Sequence, residues 1–308
     1  MPQDPVSGSH CLVVNTEQTV DVGRSIDIAY ERFGDPGAPA VLLIQGLNMQ
    51  LVNWDTEFCG ELVARGLQVI RFDNRDIGRS THLSEAPTPD FPAALAGDVS
   101  SASYTLSDMA ADGIGLLDAL GIDGAHVAGV SLGGQIAQTM AIEYPDRVRS
   151  LTSISTTTGD PAVGQPRPDT WGQLAGPPPV NREEAMDQAV ASLRVAGSPG
   201  FPLDEAAVRE RAGRAYDRAL PDRVGLMRQA LASIASGDRT PLLRKLDLPT
   251  LVIHGADDPI VDVSGGRATA AAVPGAELMV VDGMGHDLPR ELWSEIAARI
   301  AGLVERNR

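Results

Sequence analysis

The stretch that most constrains the fold is residues 125–137, AHVAGVSLGGQIA, in which an apolar run gives way to a helical pattern. The first half predicts a β-strand that ends at Gly129, and a helix is predicted from Leu132. Between them lies a G-x-S-x-G pattern centred on Ser131. A serine on such a sharp strand-to-helix turn has a strained backbone and small neighbours, and its hydroxyl is exposed above the sheet. The stretch therefore predicts a nucleophile at the end of a parallel strand.

Strand-like and helix-like segments alternate on both sides of this stretch. Apolar runs typical of strands occur at 12–14, 26–33, 40–44, 67–72, 125–129, 148–154, 250–254 and 276–281. Helical patterns occur at 56–65, 105–120, 132–144, 266–273 and from 287 or 289 onward. This alternation predicts an α/β fold with a mostly parallel central sheet flanked by helices. Residues 83–103, rich in Pro, Ser and Ala, are predicted to form a loop.

The alternation stops between residues 155 and 239 and resumes at Pro249. This region begins with a segment rich in Thr, Gly and Pro, which predicts a loop. Three helices are then predicted, at 181–197, 203–220 and 221–236. We therefore predict a core formed by residues 1–154 and 240–308, with residues 155–239 inserted into it as a helical cap.

The length and composition fit a globular protein with either one large domain or one domain with an insertion. The chain has 308 residues, of which 43% are hydrophobic and 21% are charged. Its net charge of -16 argues against nucleic acids and anionic membranes as partners. Two cysteines do not make a disulfide framework, and neither a signal peptide nor an apolar membrane span is visible in the sequence. A cytoplasmic location is expected, whereas the oligomeric state does not follow from the sequence.

Polar residues follow the carboxyl ends of several predicted strands, where parallel α/β sheets carry their functional groups. Ser131 comes first along the chain, the adjacent Asp257 and Asp258 come next, and His286 comes last. This is the chain order of a catalytic triad built on a nucleophile elbow. The imidazole would take the serine proton, and a carboxylate would orient the imidazole. The residues alone leave open which of the two aspartates is the acid, because adjacent side chains point in different directions.

His286 is the histidine best placed to act as the base. It follows a predicted strand in a loop with Gly283 and Gly285, which let the loop bring the ring over the sheet. The alternative is a surface-loop histidine with no catalytic role. The other histidines lie at the N-terminus, in a loop or inside predicted strands: His10, His82, His126 and His254.

Four segments together resemble the α/β-hydrolase superfamily and, within it, the aclacinomycin methylesterase-like carboxylesterases. They are 69–81 (VIRFDNRDIGRST), 129–134 (GVSLGG), 254–260 (HGADDPI) and 283–289 (GMGHDLP). In that family the acid is the Asp directly before Pro, which implies Asp258 here, and the base corresponds to His286. The resemblance, which extends over nearly the whole chain, therefore implies a triad of Ser131, His286 and Asp258. It implies no metal and no organic cofactor.

Two backbone N–H groups are expected to bind the oxyanion formed during the reaction. One belongs to Leu132, the residue after the nucleophile. The resemblance implies Leu47, in the loop after the 40–44 strand, as the second. This chain has Gln45-Gly46 where the superfamily commonly has His-Gly. Because the donor is a backbone group, that change does not remove it.

Three residues that follow the 40–44 strand could line a substrate pocket: Asn48, Met49 and Trp54. Trp54 is alternatively a core residue. The charged loop at 73–80 offers either an anion site or, as we favour, side chains that fix the loop through hydrogen bonds. Its charged residues of interest are Asp73, Arg75 and Arg79.

These features predict a serine hydrolase that cleaves a small-molecule carboxylic ester through an acyl-enzyme. An apolar or polycyclic ester is expected, and the resemblance implies a methyl ester of a polycyclic compound. Ser131 at the elbow excludes the relatives that use an aspartate nucleophile, the haloalkane dehalogenases and epoxide hydrolases. A hydrolase of C–C bonds in ring-cleavage products and a cofactor-free perhydrolase are the alternatives with the same fold. A non-catalytic ligand-binding protein is less favoured, since its mark would be a broken triad.

Overall fold

Eight strands form one sheet in the computed structural model, which describes residues 16–307. They are β1 (Gln18–Asp21), β2 (Asp27–Phe33), β3 (Ala40–Ile44), β4 (Gln68–Phe72), β5 (Ala125–Val130), β6 (Val148–Ile154), β7 (Thr250–Gly255) and β8 (Glu277–Val281). Their spatial order is β1-β2-β4-β3-β5-β6-β7-β8. Strand β1 pairs antiparallel with β2, and β2 pairs antiparallel with β4. The strands β3 to β8 run parallel to one another. The predicted α/β fold with a mostly parallel sheet is confirmed.

Eleven α-helices accompany these strands within the described residues. They are α1 (Thr56–Val63), α2 (Phe91–Leu95), α3 (Leu106–Ala119), α4 (Leu132–Glu143), α5 (Thr170–Leu174), α6 (Arg182–Ala196), α7 (Glu205–Arg218), α8 (Arg223–Ser236), α9 (Thr240–Leu243), α10 (Ser264–Ala272) and α11 (Trp293–Glu305). None of them is both long and apolar enough to cross a bilayer.

Most predicted elements are present, and the differences are short or polar segments. The helices α2 and α5 have five residues each, and both lie in segments predicted to be loops. The edge strand β1 reads QTVD and is mostly exposed, so its sequence lacks the apolar alternation that indicates a strand. The predicted strand at 12–14 lies outside the described residues.

The core lies on both faces of the sheet, as the strand β3 illustrates. All five of its residues are buried. Leu42 and Ile44 point to the face covered by α3 and α4, whereas Val41 and Leu43 point to the face covered by α1 and α11. Successive side chains of a strand point to opposite faces, so a continuous apolar run is needed where both faces are covered.

The segment between β6 and β7 leaves the sheet and returns to it at nearly the same place. The Arg239 N–H donates to the Thr158 carbonyl at 2.8 Å, and the Arg239 guanidinium donates to the Thr157 carbonyl at 3.0 Å. Between these ends, α6 and α7 pack against each other, and α8 packs against α2 and α3. The division into a core and an inserted cap over 155–239 stays a prediction.

The charged loop after β4 is held by buried ion pairs. The Arg75 guanidinium donates to both carboxylate oxygens of Asp112, at 2.6 and 2.7 Å, and lies over the Tyr104 ring. The fully buried carboxylate of Asp73 accepts hydrogen bonds from the Leu51 and Arg79 N–H groups. These contacts favour the loop-fixing interpretation of the charged residues over an anion site.

Arg75→Met should lower the free energy of unfolding by about 3 kcal/mol, because it leaves the Asp112 carboxylate buried without its bidentate partner. The exposed Arg24 guanidinium, 3.5 Å from Asp112, would compensate only part of that charge. Urea unfolding of the purified variant measures the loss. The double variant Arg75→Met/Asp112→Leu should recover most of the stability. Equal destabilisation in the single and double variants would contradict this account of the ion pair.

Candidate active site

Ser131 lies on a strained turn between β5 and α4. Its φ of 55° and ψ of -121° fall in a region that residues with side chains rarely adopt. A Cβ at Gly129 would lie 2.0 Å from the Gly133 carbonyl oxygen, and one at Gly133 would lie 2.2 Å from the Ile44 carbonyl oxygen. The glycines of the G-x-S-x-G pattern therefore let strand, turn and helix approach closely enough to present the serine.

Ser131, His286 and Asp258 form one continuous hydrogen-bonded chain. The Ser131 Oγ lies 3.0 Å from His286 Nε2, and His286 Nδ1 lies 2.7 Å from Asp258 Oδ2. The Ile260 and Val261 N–H groups both donate to Asp258 Oδ1 at 2.9 Å, which fixes the carboxylate. With Nδ1–H donating to the carboxylate, Nε2 is free to accept the serine proton.

The adjacent carboxylate of Asp257 points elsewhere. Its Oδ2 accepts a hydrogen bond from the Gly283 N–H at 3.0 Å, and its Oδ1 lies 3.7 Å from the Arg167 guanidinium. Of the two aspartates that the residues alone left open, the structure brings Asp258 to His286.

A short segment after α6 holds the loop that carries His286. The Ala196 carbonyl accepts a hydrogen bond from the His286 N–H at 2.8 Å. The Ser198 Oγ accepts from the Gly285 N–H at 2.9 Å and donates to Asp287 Oδ1 at 2.5 Å. Burial raises the pKa of the Asp287 carboxyl, and the bond from Ser198 offsets only part of that effect. Sequence analysis did not identify these residues, since nothing local in the sequence marks them.

His254 lies behind Asp258, at the end of β7. Its Nε2 contacts the Val261 carbonyl at 2.8 Å and lies 3.6 Å from Asp258 Oδ2. Burial lowers the pKa of His254, and the neighbouring Asp258 charge offsets this only in part. The neutral form, with Nε2–H donating to the Val261 carbonyl, is therefore favoured. His254 is thus a fully buried residue of the strand in which the sequence predicted it.

The turn formed by residues 46–49 lies directly beside Ser131. A Cβ at Gly46 would lie 3.3 Å from the Ser131 Cβ. The Met49 N–H donates to the Gly46 carbonyl at 3.2 Å, and Asn48 has a φ of 60°, so the chain folds back tightly here. Within residues 16–307, no hydrogen-bond acceptor meets the N–H of Leu47 or of Leu132. The two predicted oxyanion donors are thus both free.

The three predicted pocket residues lie in different surroundings. Asn48 and Met49 are exposed, with 45% of Met49 accessible to solvent. Trp54 is 2% exposed and stacks on Phe58 with a ring-centroid distance of 5.4 Å. The structure places Trp54 in the core between the sheet, α1 and α11, which is its alternative interpretation.

One group of side chains within residues 16–307 has carboxylate and imidazole atoms close enough together to bind a metal ion: Asp76, His82 and Asp222. Most of its atoms already have partners in the protein. The His82 ring contacts Asp222 Oδ2 at 2.7 Å and the Gly78 carbonyl at 3.1 Å. The Arg228 guanidinium lies 3.4 Å from Asp76. These contacts make the group a polar link between the loop after β4 and the start of α8.

Comparison with known proteins places this geometry in a family. Residues 39–289 match the family described as alpha/beta hydrolase fold. Rhodomycin D methylesterase DnrP of Streptomyces peucetius is 30% identical over 296 residues, which cover 88% of this chain and 92% of that protein. The 2-hydroxymuconate semialdehyde hydrolase of Pseudomonas putida is 31% identical over 206 residues, 62% of this chain and 65% of that protein.

The fold is also that of solved hydrolase structures. The enol-lactonase from Burkholderia xenovorans LB400 superposes with a TM-score of 0.68 at 20% identity, covering 94% of this chain and all of that one (100%). The likeness to the methylesterase confirms the resemblance predicted from the sequence. The chain belongs to the α/β hydrolase fold family.

Proposed function

We propose that this chain hydrolyses carboxylic esters through an acyl-enzyme formed on Ser131. The observation that carries the proposal is the continuous chain from Ser131 Oγ through His286 to the buried Asp258 carboxylate. The extensive likeness to a rhodomycin D methylesterase supports ester cleavage as the reaction. A serine activated by an adjacent imidazole suits an acyl carbon that bears a leaving group.

In the proposed reaction, Ser131 Oγ attacks the ester carbonyl while His286 Nε2 takes its proton. Collapse of the tetrahedral intermediate breaks the bond to the alcohol, which leaves with the proton from His286. Water then attacks the acyl-enzyme and loses a proton to His286. Collapse of the second tetrahedral intermediate returns this proton to Ser131 Oγ and releases the acid product. Asp258 holds the imidazole in the correct tautomer and stabilises its protonated form throughout.

The negative charge of each tetrahedral intermediate would be held by the Leu47 and Leu132 N–H groups. Both are free of protein acceptors within the described part of the chain, and the 46–49 turn lies against Ser131. Leu132 also begins α4, whose N-terminal end favours an anion. Removing one such donor typically costs about 100- to 1000-fold in rate.

We further propose that the helices of residues 155–239 form a cap over the site and that the substrate is an apolar or polycyclic ester. The name of the Streptomyces relative, rhodomycin D methylesterase, specifies the cleavage of a methyl ester. The cap is supported by the tie between the two ends of the segment, at Thr158 and Arg239, and by the contact of Ala196 with the His286 loop. A closed cap would exclude water from the acyl-enzyme until the alcohol has left.

Hydrolysis of C–C bonds is the second candidate function. It is favoured by the 31% identity to 2-hydroxymuconate semialdehyde hydrolase, although that likeness covers 62% of the chain against 88% for the methylesterase. The two candidates use different substrates. Turnover of ring-cleavage dienones without turnover of esters would select the second one.

Ser131→Ala should lower kcat/KM for p-nitrophenyl esters by at least about 10⁴-fold, because the attacking oxygen is removed. A series of acyl chains from C2 to C12, measured on wild type and variant, tests this and sizes the pocket. Ser192→Ala, a substitution at an exposed position of α6, is the matched control and should keep wild-type activity. Activity that survives in folded Ser131→Ala would rule out the proposed nucleophile.

Asp258→Asn should lower kcat by about 10⁴-fold, since an amide no longer stabilises the required tautomer and charge of His286. The adjacent Asp257→Asn is the control. It removes a partly exposed carboxylate bonded to the Gly283 N–H and should change kcat by less than about threefold. Steady-state kinetics on one p-nitrophenyl ester compare kcat of the two variants. The reverse ranking of the two variants would assign the acid to Asp257.

A further inference from the structure

We infer that Gln229, on α8, is a positioning residue that sets the 46–49 turn so that the Leu47 N–H points to the oxyanion. The inference rests on the proposed function and adds a part to it. Gln229 is far from the triad in sequence and does not itself reach the reacting atoms. It acts through the backbone of the turn that carries the donor.

The Gln229 amide is fully buried and bonded at both ends to backbone groups. Its Oε1 accepts a hydrogen bond from the Asn48 N–H at 3.2 Å. Its Nε2 donates to the Arg75 carbonyl at 2.8 Å. One side chain from α8 therefore joins the loop after β3 to the loop after β4. An amide of this length offers an acceptor to the first loop and a donor to the second.

The hydrogen bonds of the turn leave one N–H available. The Gly46 N–H donates to Gln45 Oε1 at 3.2 Å, the Met49 N–H donates to the Gly46 carbonyl at 3.2 Å, and Asn48 uses Gln229. Among residues 46–49 of the described chain, Leu47 alone has an N–H with no acceptor. Leu47 therefore supplies the one N–H of the 46–49 turn that is available to an oxyanion.

The bond to Gln229 also helps to fix a left-handed backbone conformation. Asn48 has a φ of 60°, which asparagine adopts more readily than other residues with a side chain. Without the Gln229 acceptor, the Asn48 N–H would turn toward the site or toward water. Either movement rotates the Leu47 peptide away from its present direction.

The turn is held from the opposite side by the core. The buried Asn74 Nδ2 donates to the Gln45 carbonyl at 3.1 Å. The helix that carries Gln229 is itself fixed, since the Arg228 guanidinium donates to the Ala86 carbonyl at 2.8 Å and the Ser236 Oγ accepts from the Leu106 N–H at 2.9 Å. The turn is therefore held between Asn74 on one side and α8 on the other. A displacement of α8 would move the proposed oxyanion donor.

A group that aligns the oxyanion donor should affect the transition state and leave substrate binding unchanged, because the charge exists only during the reaction. Gln229→Leu keeps the size and helix propensity of the side chain but removes its acceptor and donor. We expect kcat for a p-nitrophenyl ester to fall by about 10- to 100-fold with KM unchanged. Arg223→Gln, a substitution at an exposed position of the same helix, is the matched control and should keep the wild-type kcat.

A trifluoromethyl ketone provides a readout that does not depend on ester turnover. Its adduct with Ser131 carries an oxyanion, so its affinity, followed by ¹⁹F NMR, should fall in Gln229→Leu by the same factor as kcat. Wild-type kcat and ketone affinity in folded Gln229→Leu would overturn the inference while leaving the proposed function intact. Failure of the wild type to hydrolyse esters or bind the ketone would instead refute the proposed function and this inference with it.

Gln229→Glu tests the same bonds by pH and covers the case in which the leucine variant does not fold. A protonated carboxyl group still donates to the Arg75 carbonyl and accepts from the Asn48 N–H, whereas the ionised group loses the donor. The ratio of kcat in Gln229→Glu to kcat in wild type should therefore rise as the pH falls. A ratio that is well below one and independent of pH would contradict the positioning role.

Discussion

The strained backbone of Ser131 is the constraint on which the rest of the site depends. Its conformation costs about 1–3 kcal/mol and persists only because the surroundings hold it. The Ser131 N–H donates to the Ile154 carbonyl of β6, and the Ser131 carbonyl accepts from the first turn of α4. Gly129 and Gly133 remove the side chains that would separate these elements. The central strands β3, β5 and β6 therefore fix where the serine stands, and the other groups are arranged around it.

Those other groups come from both the sheet and the segment between β6 and β7. The sheet order places the ends of β3, β5, β7 and β8 along one edge, and the 46–49 turn, Ser131, Asp258 and His286 follow these ends. The inserted helices then reach back to this edge at two points. Ser198 contacts the His286 loop, and Gln229 contacts the 46–49 turn. The proposed base and the proposed oxyanion donor are thus each contacted by residues that belong to the proposed cap.

The sequence predicted what depends on local pattern. Continuous apolar runs identified the buried strands, and glycines around Ser131 identified the elbow, because each is required within a few residues of chain. The choice of Asp258 came from family resemblance, since two adjacent carboxylates look alike in sequence. Trp54 shows a different limit: an aromatic ring after a turn can face a pocket or the core, and only the packing with Phe58 decides. Ser198 and Gln229 act across 87 and 181 residues of chain, a separation over which no sequence pattern operates.

The most direct test of the account is covalent labelling of the nucleophile. A fluorophosphonate reacts with a serine only where an imidazole activates the hydroxyl and an oxyanion site receives the phosphoryl oxygen. We predict one adduct per chain, located by peptide mass spectrometry on Ser131 and absent in His286→Ala. A folded protein that reacts at another residue, or does not react at all, would contradict the assignment of Ser131 as an activated nucleophile.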